Sequence, residues 1–132
     1  MSANVKRSEK TLICVVDDDF LLRESTKRLL RSFKFNVKAL ASAEEFLNSE
    51  CLAATACLIL DVRMPGMNGF ELLHEIRALG SASGGNVPVI AMTALVTHAD
   101  CARMLNAGFQ ACLPKPFTPD KLVETILTLL NN

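Results

Sequence analysis

Short apolar runs alternate along the chain with segments in which apolar residues recur every three or four positions. Apolar runs between turn signals are typical of buried strands, and the longer spacing is typical of amphipathic helices. The predicted strands are residues 12–16, 35–40, 56–60, 87–92 and 109–113. The predicted helices are residues 20–33, 42–49, 70–79, 98–106 and 119–130. Since strands and helices alternate, we expect an α/β domain with a five-stranded parallel sheet and helices on both faces.

Local signals mark where helices begin. In the first predicted helix, Leu22, Leu29, Leu30 and Phe33 lie roughly on one face. Ser42 and Glu45 have the spacing of a capping box, and Thr118 followed by Pro119 is a typical helix start. The run of aspartates at 17–19 precedes the first helix, and we expect one of them to cap it.

Composition and charge narrow the class of protein. The chain has 132 residues, of which 50% are hydrophobic and 21% charged, as in one packed domain; disorder and collagen-like repeats are excluded. The formal net charge is zero, so neither direct nucleic-acid binding nor membrane binding is expected. The polar start and the short apolar runs predict no signal peptide or membrane span. Residues 1–10 are interpreted as a polar N-terminal tail and residues 11–132 as the domain.

The cysteines show no metal-binding pattern. They are Cys14, Cys51, Cys57, Cys101 and Cys112, with no CxxC pair and no histidine at zinc-finger spacing. Cysteines in or beside apolar runs act as small hydrophobic residues when reduced. We therefore expect reduced thiols and a cytoplasmic protein.

Ionisable or hydroxyl side chains follow four of the five predicted strands. The carboxyl ends of parallel strands meet at one edge of a sheet, which is where ligands bind in such folds. This edge should carry Asp17 to Asp19 after the first strand and Asp61 after the third. It should also carry Thr93 with Ala94 after the fourth strand, and Lys115 after the fifth.

These residue types together suit phosphoryl transfer. Carboxylates at one sheet edge repel each other unless a cation joins them, and Mg²⁺ prefers such oxygen ligands. A carboxylate can accept a phosphoryl group if a metal, a fixed cation and a hydrogen-bond donor surround it. Asp61, Lys115 and Thr93 supply those parts. Taken singly, each residue has a plainer explanation as a helix cap, turn former or solvated lysine; their joint placement favours one site.

Four segments carry a resemblance to a known family: residues 15–19, 58–69, 89–94 and 115–117. In this order and spacing the chain resembles the bacterial response-regulator receiver domain, the phosphoacceptor half of two-component signalling, and is similar to chemotaxis regulators. The resemblance covers residues 11–130. It implies the flavodoxin-like receiver fold, with strand order 2-1-3-4-5.

The resemblance also implies a metal site and a phosphoacceptor. Asp61 is similar to the phosphoacceptor, and Asp17 and Asp18 to the acidic pair that holds Mg²⁺. Asp61 itself and the backbone carbonyl of Arg63 would complete the protein ligands, and Mn²⁺ could substitute for Mg²⁺.

Other residues would bind the phosphoryl group. Thr93 resembles the switch hydroxyl that binds a phosphoryl oxygen, and Ala94 the small neighbour whose N–H assists. Lys115 resembles the cation that pairs with the acyl phosphate. The family pattern makes the Lys115–Pro116 peptide bond cis, which an X-Pro bond adopts at low cost.

The implied function is a phosphorelay switch. A histidine kinase or histidine phosphotransfer domain would donate the phosphoryl group and dock near residues 20–23. The output face would be the fourth helix, fifth strand and fifth helix, acting on an effector that the sequence does not identify, and a phosphorylation-dependent dimer is possible. The protein is interpreted as a signalling protein, not an enzyme, catalysing only transfer to its own Asp61 and slow self-dephosphorylation.

One position departs from many relatives of this kind, and two others bear on the lifetime of the phosphoryl group. Many have an aromatic residue three positions before the lysine, where this chain has Cys112, so we expect output to depend more on the backbone of adjacent loops. Arg63 and Leu95 flank the site and offer no carboxylate or amide to orient a water molecule. Slow loss of the phosphoryl group is therefore expected.

Three alternatives are considered. A haloacid-dehalogenase-like phosphohydrolase would use Asp17 and Asp19, but the chain is short and lacks a cap and the later paired acids. In a flavodoxin-like cofactor module, three carboxylates at the phosphate loop would repel phosphate. A phosphorylation-independent pseudo-receiver that only binds proteins is disfavoured, because every residue that phosphorylation needs is present.

Overall fold

The structure, a computed structural model, describes residues 12–94 and 97–131. The sheet consists of β1 (Leu12–Val16), β2 (Asn36–Leu40), β3 (Thr55–Asp61), β4 (Val89–Thr93) and β5 (Ala111–Pro114). All strand pairs are parallel, and the spatial order is β2-β1-β3-β4-β5. The predicted fold class and strand order are confirmed. The predicted tail, residues 1–10, lies outside the described residues, and so does Leu95. The boundary between this tail and the domain at residues 11–132 therefore stays a prediction.

Helices connect the strands, as predicted. They are α1 (Phe20–Ser32), α2 (Ala43–Asn48), α3 (Gly69–Ala78), α4 (His98–Ala107) and α5 (Pro119–Leu130). Short 3₁₀ turns at Leu52–Ala54 and Ser81–Ser83 precede β3 and β4. Within the described part of the chain, no helix has both the length and the apolar character needed to cross a bilayer.

The sheet separates two layers of core because successive strand residues point to opposite faces. In β1, Ile13 and Val15 pack in one layer, and Cys14 and Val16 pack in the other. Helices α1 and α5 cover the layer that contains Ile13, and α2, α3 and α4 cover the opposite layer. Both faces of the sheet are therefore buried, which leaves the strand ends as the place for a site.

The helix caps agree in most details with those predicted from the sequence. The side chain of Asp19 accepts a hydrogen bond from the N–H of Leu22 (3.2 Å) and so caps α1. Thr118 caps α5 in the same way. The Ser42 hydroxyl accepts from the N–H of Glu45 (3.0 Å), but the Glu45 carboxylate accepts from the N–H of Ala41 (2.8 Å). The predicted capping box is therefore only half correct, because its return bond reaches one residue further back.

Several predicted boundaries differ from those of the structure by one or two residues, and three of the differences have a clear local reason. Phe33 follows α1 and is 45% exposed, so it does not lie on the buried face. Strand β4 begins at Val89, after Pro88, which has no N–H for a strand ladder. Strand β5 begins at Ala111, because Phe109 lies before it and packs its ring edge-on against Phe70, with centroids 5.6 Å apart.

The guanidinium of Arg77 joins the end of α3 to the segments around β4 and β5. It donates to the carbonyl oxygens of Gly85 and Val87 (both 2.8 Å) and of Gly108 (3.2 Å), and to Oε1 of Gln110 (3.0 Å). One side chain therefore joins two segments, residues 85–87 and 108–110, through hydrogen bonds from a charged donor, which are stronger than neutral ones.

Replacement of Arg77 by Met is expected to destabilise the domain. The carbonyl acceptors would lose charged donors, and we expect the free energy of unfolding to fall by about 2–4 kcal/mol. Urea denaturation followed by circular dichroism measures this loss, since the chain has no Trp or Tyr. Arg103→Met is the control, because Arg103 is 71% exposed and forms a salt bridge with Asp100 of the same helix, an exposed pair that contributes little to stability. Similar losses in both variants would contradict the bridging role of Arg77.

Candidate functional site

Neighbouring strands bring the two buried acids to the same edge of the sheet. Asp17 follows β1 directly, and its N–H donates to the carbonyl oxygen of Leu40 at the end of β2 (3.1 Å). Asp61 is the last residue of β3 and lies opposite Met92 of β4. Since β1 and β3 are adjacent and parallel, their two carboxylates face each other beyond the strand ends.

The carboxylates of Asp17, Asp18 and Asp61 form a compact acidic cluster. Their ligand oxygens all lie within 4.8 Å of one another. Asp17 and Asp61 are buried, whereas Asp18 is exposed. Backbone donors hold one oxygen of each buried acid: the N–H of Asp19 bonds Oδ1 of Asp17 (2.9 Å), and the N–H of Arg63 bonds Oδ1 of Asp61 (3.1 Å).

Lys115 faces the remaining oxygens of the buried acids. Its Nζ lies 3.4 Å from Oδ2 of Asp17 and 3.5 Å from Oδ2 of Asp61. The N–H of Lys115 donates to the carbonyl oxygen of Thr93 (2.8 Å), which ties the segment after β5 to the end of β4. The Lys115–Pro116 peptide bond is cis, as predicted. One lysine thus faces a cluster of three acids, which leaves an excess of negative charge.

This environment changes the acidity of Asp61. Burial, against the opposing effects of the Lys115 cation and the Arg63 N–H and with a smaller contribution from the neighbouring Asp17, raises its pKa to about 6. A bound divalent cation would offset both the desolvation and the repulsion between the acids. Three carboxylates within reach of one another are hard oxygen donors, so the residues present fit Mg²⁺ or Mn²⁺.

A groove of about 400 Å³ extends from this edge towards α4. Thr93, the buried last residue of β4, lies on its wall, and the exposed Ala94 follows Thr93. Arg63 also lines the groove, as do Asp100 and Arg103 of α4. The structure therefore brings Asp17, Asp18, Asp61 and Lys115 into one cluster, and places Thr93 and Arg63 on the adjoining groove.

Close packing positions the loop after Asp61. The N–H of Gly69 donates to the carbonyl oxygen of Val62 (3.0 Å), and a Cβ at position 69 would lie 2.8 Å from Cα of Val62. A larger residue there would press on the backbone beside Asp61. Asn68 and Glu71 form a full capping box at this helix start. Sequence reasoning missed it, although the Asn-x-x-Glu spacing is its usual signal.

Sequence reasoning also missed the contact that Arg23 makes with the site. Its Nη1 donates to the carbonyl oxygen of Asp17 (2.8 Å), and its guanidinium lies 5.3 Å from the ring centroid of Phe20. Phe20 and Arg23 are one helical turn apart in the sequence, and this spacing was the only local signal that the two side chains would meet. Arg23 therefore links the acidic cluster to the exposed start of α1.

A five-stranded parallel sheet in this order, with clustered acids and a lysine at its carboxyl edge, defines a receiver-type signalling domain. The sequence model described as the response regulator receiver domain matches residues 13–127, and the chain belongs to that family. Receiver domains generally bind Mg²⁺ at an acidic pocket, which here corresponds to the cluster of Asp17, Asp18 and Asp61. The proposed resemblance is thereby confirmed, and the phosphohydrolase and pseudo-receiver alternatives are not favoured.

Named relatives agree with this assignment. The chain is 33% identical over 127 residues to nodulation protein W of Bradyrhizobium diazoefficiens, covering 94% of this chain and 53% of that protein. It is 34% identical over 125 residues to response regulator protein TmoT of Ectopseudomonas mendocina, covering 92% and 54%. The structure of chemotaxis protein CheY4 of Vibrio cholerae superposes with a TM-score of 0.81 at 26% identity, covering 91% and 98%. The chain thus spans about half the length of the curated relatives it matches.

Proposed function

We propose that this domain is a phosphorelay switch in which Asp61 accepts a phosphoryl group from a phosphohistidine. The observation that carries the proposal is the placement of buried Asp61 3.5 Å from Lys115, within the acidic cluster. The N–H of Arg63 holds Oδ1, so Oδ2 is the oxygen that faces the lysine. A carboxylate held in this way is oriented before the donor arrives.

The acidic cluster would hold the metal ion. Asp17, Asp18 and Asp61 would bind Mg²⁺ through carboxylate oxygens, and the backbone carbonyl of Arg63 would complete the protein ligands. When bound, the ion neutralises charge on the acids and on the phosphoryl oxygens during transfer. The backbone N–H of Asp19 keeps Asp17 oriented for this role.

In the transfer step, a carboxylate oxygen of Asp61 attacks the phosphorus of the phosphohistidine. A P–O bond forms, the P–N bond breaks, and the bonding electrons leave with the imidazole, which takes up a proton. Lys115 pairs with the negative charge of the acyl phosphate. The hydroxyl of Thr93 and the N–H of Ala94 donate hydrogen bonds to phosphoryl oxygens.

Family membership implies a histidine kinase as a partner and an effector as the output. We place the docking surface for the kinase or phosphotransfer domain at the start of α1. There Phe20 is 62% exposed and Leu21 is 75% exposed, beside the acidic cluster. Large exposed apolar side chains of this kind are typical of protein-binding surfaces.

Output would come from α4, β5 and α5. When Thr93 and Lys115 bind phosphoryl oxygens, the backbone after β4 and β5 is drawn towards the site, and a two-state equilibrium shifts. This face could also support a dimer that forms on phosphorylation. The effector, and a location in the cytoplasm, stay predictions.

The domain is a signalling protein with a phosphoryl-transfer activity. We propose that this activity is limited to transfer to Asp61 and slow self-dephosphorylation. Arg63 is exposed beside the site and offers no carboxylate or amide to a hydrolytic water. Leu95, the other residue in this expectation, lies outside the described residues.

Intact mass spectrometry tests the proposal. The reduced chain is incubated with a small-molecule phosphodonor and Mg²⁺, and we expect a gain of one phosphoryl group that a chelator or Asp61→Asn abolishes. Asp19→Asn is the matched control, because Asn also caps helices and Asp19 is outside the acidic cluster. Phosphorylation of Asp61→Asn would refute the assignment, whereas release of phosphate from a monoester that depends on Asp19 would favour the phosphohydrolase.

A further inference from the structure

A pair of thiols joins α4 to β5 on the proposed output face. Sγ of Cys101, in the second turn of α4, lies 2.7 Å from Sγ of Cys112 in the middle of β5. Sγ of Cys112 also lies 3.4 Å from Sδ of Met104, one turn further along α4. Three sulphur atoms therefore meet between this helix and this strand.

The distance between the two thiols is close to that of a disulfide. Even carbon atoms that are not bonded lie about 3.5–4.0 Å apart at their optimal separation, whereas the sulphurs of a disulfide are about 2.05 Å apart. A further approach of about 0.7 Å would bring the sulphurs of Cys101 and Cys112 to bonding distance. The other cysteines have different partners: Cys14 contacts the hydroxyl of Thr55, and Cys51 contacts the carbonyl oxygen of Ser49.

A small oxidant can reach this pair. Both cysteines are partly exposed, unlike Cys14 and Cys57, which are buried in the core. Asp100 and Met104, which flank Cys101 along α4, line the groove of about 400 Å³ beside the acidic cluster. Reactive cysteines require this kind of partial exposure.

We propose that Cys101 and Cys112 are an oxidation site at which a hydroperoxide forms an intramolecular disulfide between α4 and β5. The Cys101 thiolate attacks a peroxide oxygen, the O–O bond breaks, and a sulfenic acid and water form after proton transfer. The sulphur of Cys112 then attacks the sulphur of Cys101, which releases a second water as the S–S bond forms. In sum, two thiols and one hydrogen peroxide give one disulfide and two waters.

The order of these steps follows from the surroundings of Cys112. Burial raises the pKa of the Cys112 thiol to about 12, and the contact with Cys101 makes a smaller contribution in the same direction. A less acidic thiol is less readily oxidised, so the proposal assigns the first oxidation to Cys101. Cys112 is the resolving thiol.

The disulfide would restrain the output face. It would join α4 directly to β5, so the two elements could no longer shift independently when Thr93 and Lys115 bind a phosphoryl group. This consequence rests on the proposed function, whereas the disulfide itself does not. Oxidised protein should still accept a phosphoryl group at Asp61, but should show a smaller conformational response in residues 98–114.

Peptide mapping tests the disulfide. The full chain is reduced, treated with hydrogen peroxide, alkylated in denaturant and digested with trypsin. Cleavage after Arg77, Arg103 and Lys121 yields peptides 78–103 and 104–121, each of which contains a single cysteine of the pair. We expect these two peptides to be linked, and two fewer of the five cysteines to be alkylated. Cys101→Ser and Cys112→Ser should each abolish the link.

Cys51→Ser is the matched control, because Cys51 is also partly exposed and its Sγ lies 3.6 Å from the carbonyl oxygen of Ser49. It should leave the link intact. Alkylation of all five cysteines after peroxide treatment, or a link that involves Cys51, would overturn the proposal.

Amide hydrogen exchange on reduced and oxidised protein, with and without the phosphodonor, tests the consequence. Oxidation should reduce the phosphorylation-induced change in exchange at residues 98–114 at least about twofold, and Cys112→Ser should remove this effect of peroxide. If phosphorylation changes hydrogen exchange equally in reduced and oxidised protein, the disulfide does not restrain the output face. That outcome would overturn the proposed restraint but not the disulfide itself. Failure of reduced protein to accept a phosphoryl group would instead count against the proposed function, independently of the peptide map.

Discussion

Lys115→Met is expected to lower the free energy of unfolding by about 3 kcal/mol near neutral pH without Mg²⁺, because it leaves two buried carboxylates without their shared cation. Lys115 lies within 3.5 Å of both acids, and methionine keeps the length of the side chain without its charge. The pKa of Asp61, already raised to about 6 by burial, should rise further once the lysine is lost. Added Mg²⁺ should restore much of the lost stability, since it supplies positive charge at the same cluster.

The pH dependence of this loss identifies its cause. An acid whose pKa is raised in the folded state destabilises the fold progressively as pH rises from its unfolded pKa to its folded pKa, and loss of the lysine moves that folded pKa upwards. The deficit of Lys115→Met should therefore be small near pH 4 and grow towards about pH 8. Lys121→Met is the control, because Lys121 is exposed and lies 3.9 Å from exposed Glu124. A deficit that does not change with pH, or that Lys121→Met reproduces, would show that packing of the side chain is responsible.

Asp61→Asn is expected to have the opposite effect on stability. The pKa of Asp61 is about 6 in the folded chain and close to 4 in an unfolded one, so ionisation is disfavoured in the folded state. Because an amide resembles the protonated acid, the substitution should raise the free energy of unfolding by about 2 kcal/mol above pH 7. The gain should diminish as pH falls below about 6 and vanish below about pH 3, where wild-type Asp61 is protonated in both states.

Urea denaturation without metal, across this pH range, measures the gain. Asp18→Asn is the matched control: Asp18 belongs to the same cluster but is exposed, so it should not reproduce the pH-dependent gain. A decrease in stability for Asp61→Asn at neutral pH would mean that the attraction to Lys115 outweighs burial. Together with Lys115→Met, this variant shows whether the site stores an unfavourable negative charge that a bound metal ion would relieve.

The sequence predicted the elements of this domain well because their signals are local. Hydrophobic periodicity depends on residues within one or two helical turns, and Thr118 with Pro119 marks the start of α5 within three residues. Errors occurred at the edges of elements, where Phe33 continued the apolar pattern although α1 had ended. The prediction of the capping box at Ser42 failed for a similar reason: spacing does not determine which backbone N–H the Glu45 carboxylate reaches.

The candidate site was predicted from the rule that parallel strands present their carboxyl ends at one edge. That rule placed Lys115 beside Asp17, although 98 residues separate them in the chain. It could not indicate that Arg23 would donate to the carbonyl oxygen of Asp17, or that Arg77 would reach both residues 85–87 and residues 108–110. Long side chains make such contacts at positions that no short spacing pattern specifies.

By itself, the sequence determined the order of strands and helices, the strand ends that carry the acids, Thr93 and Lys115, and the family to which the chain is similar. Only the tertiary structure decided which acids are buried, which of their oxygens face Lys115, and that Cys101 lies against Cys112. The physical reason is how far apart in the chain the interacting residues lie. Periodicity and capping arise between near neighbours in the chain, whereas burial, charge pairing and thiol contact depend on distances set when α4 packs beside β5 and β1 pairs with β3.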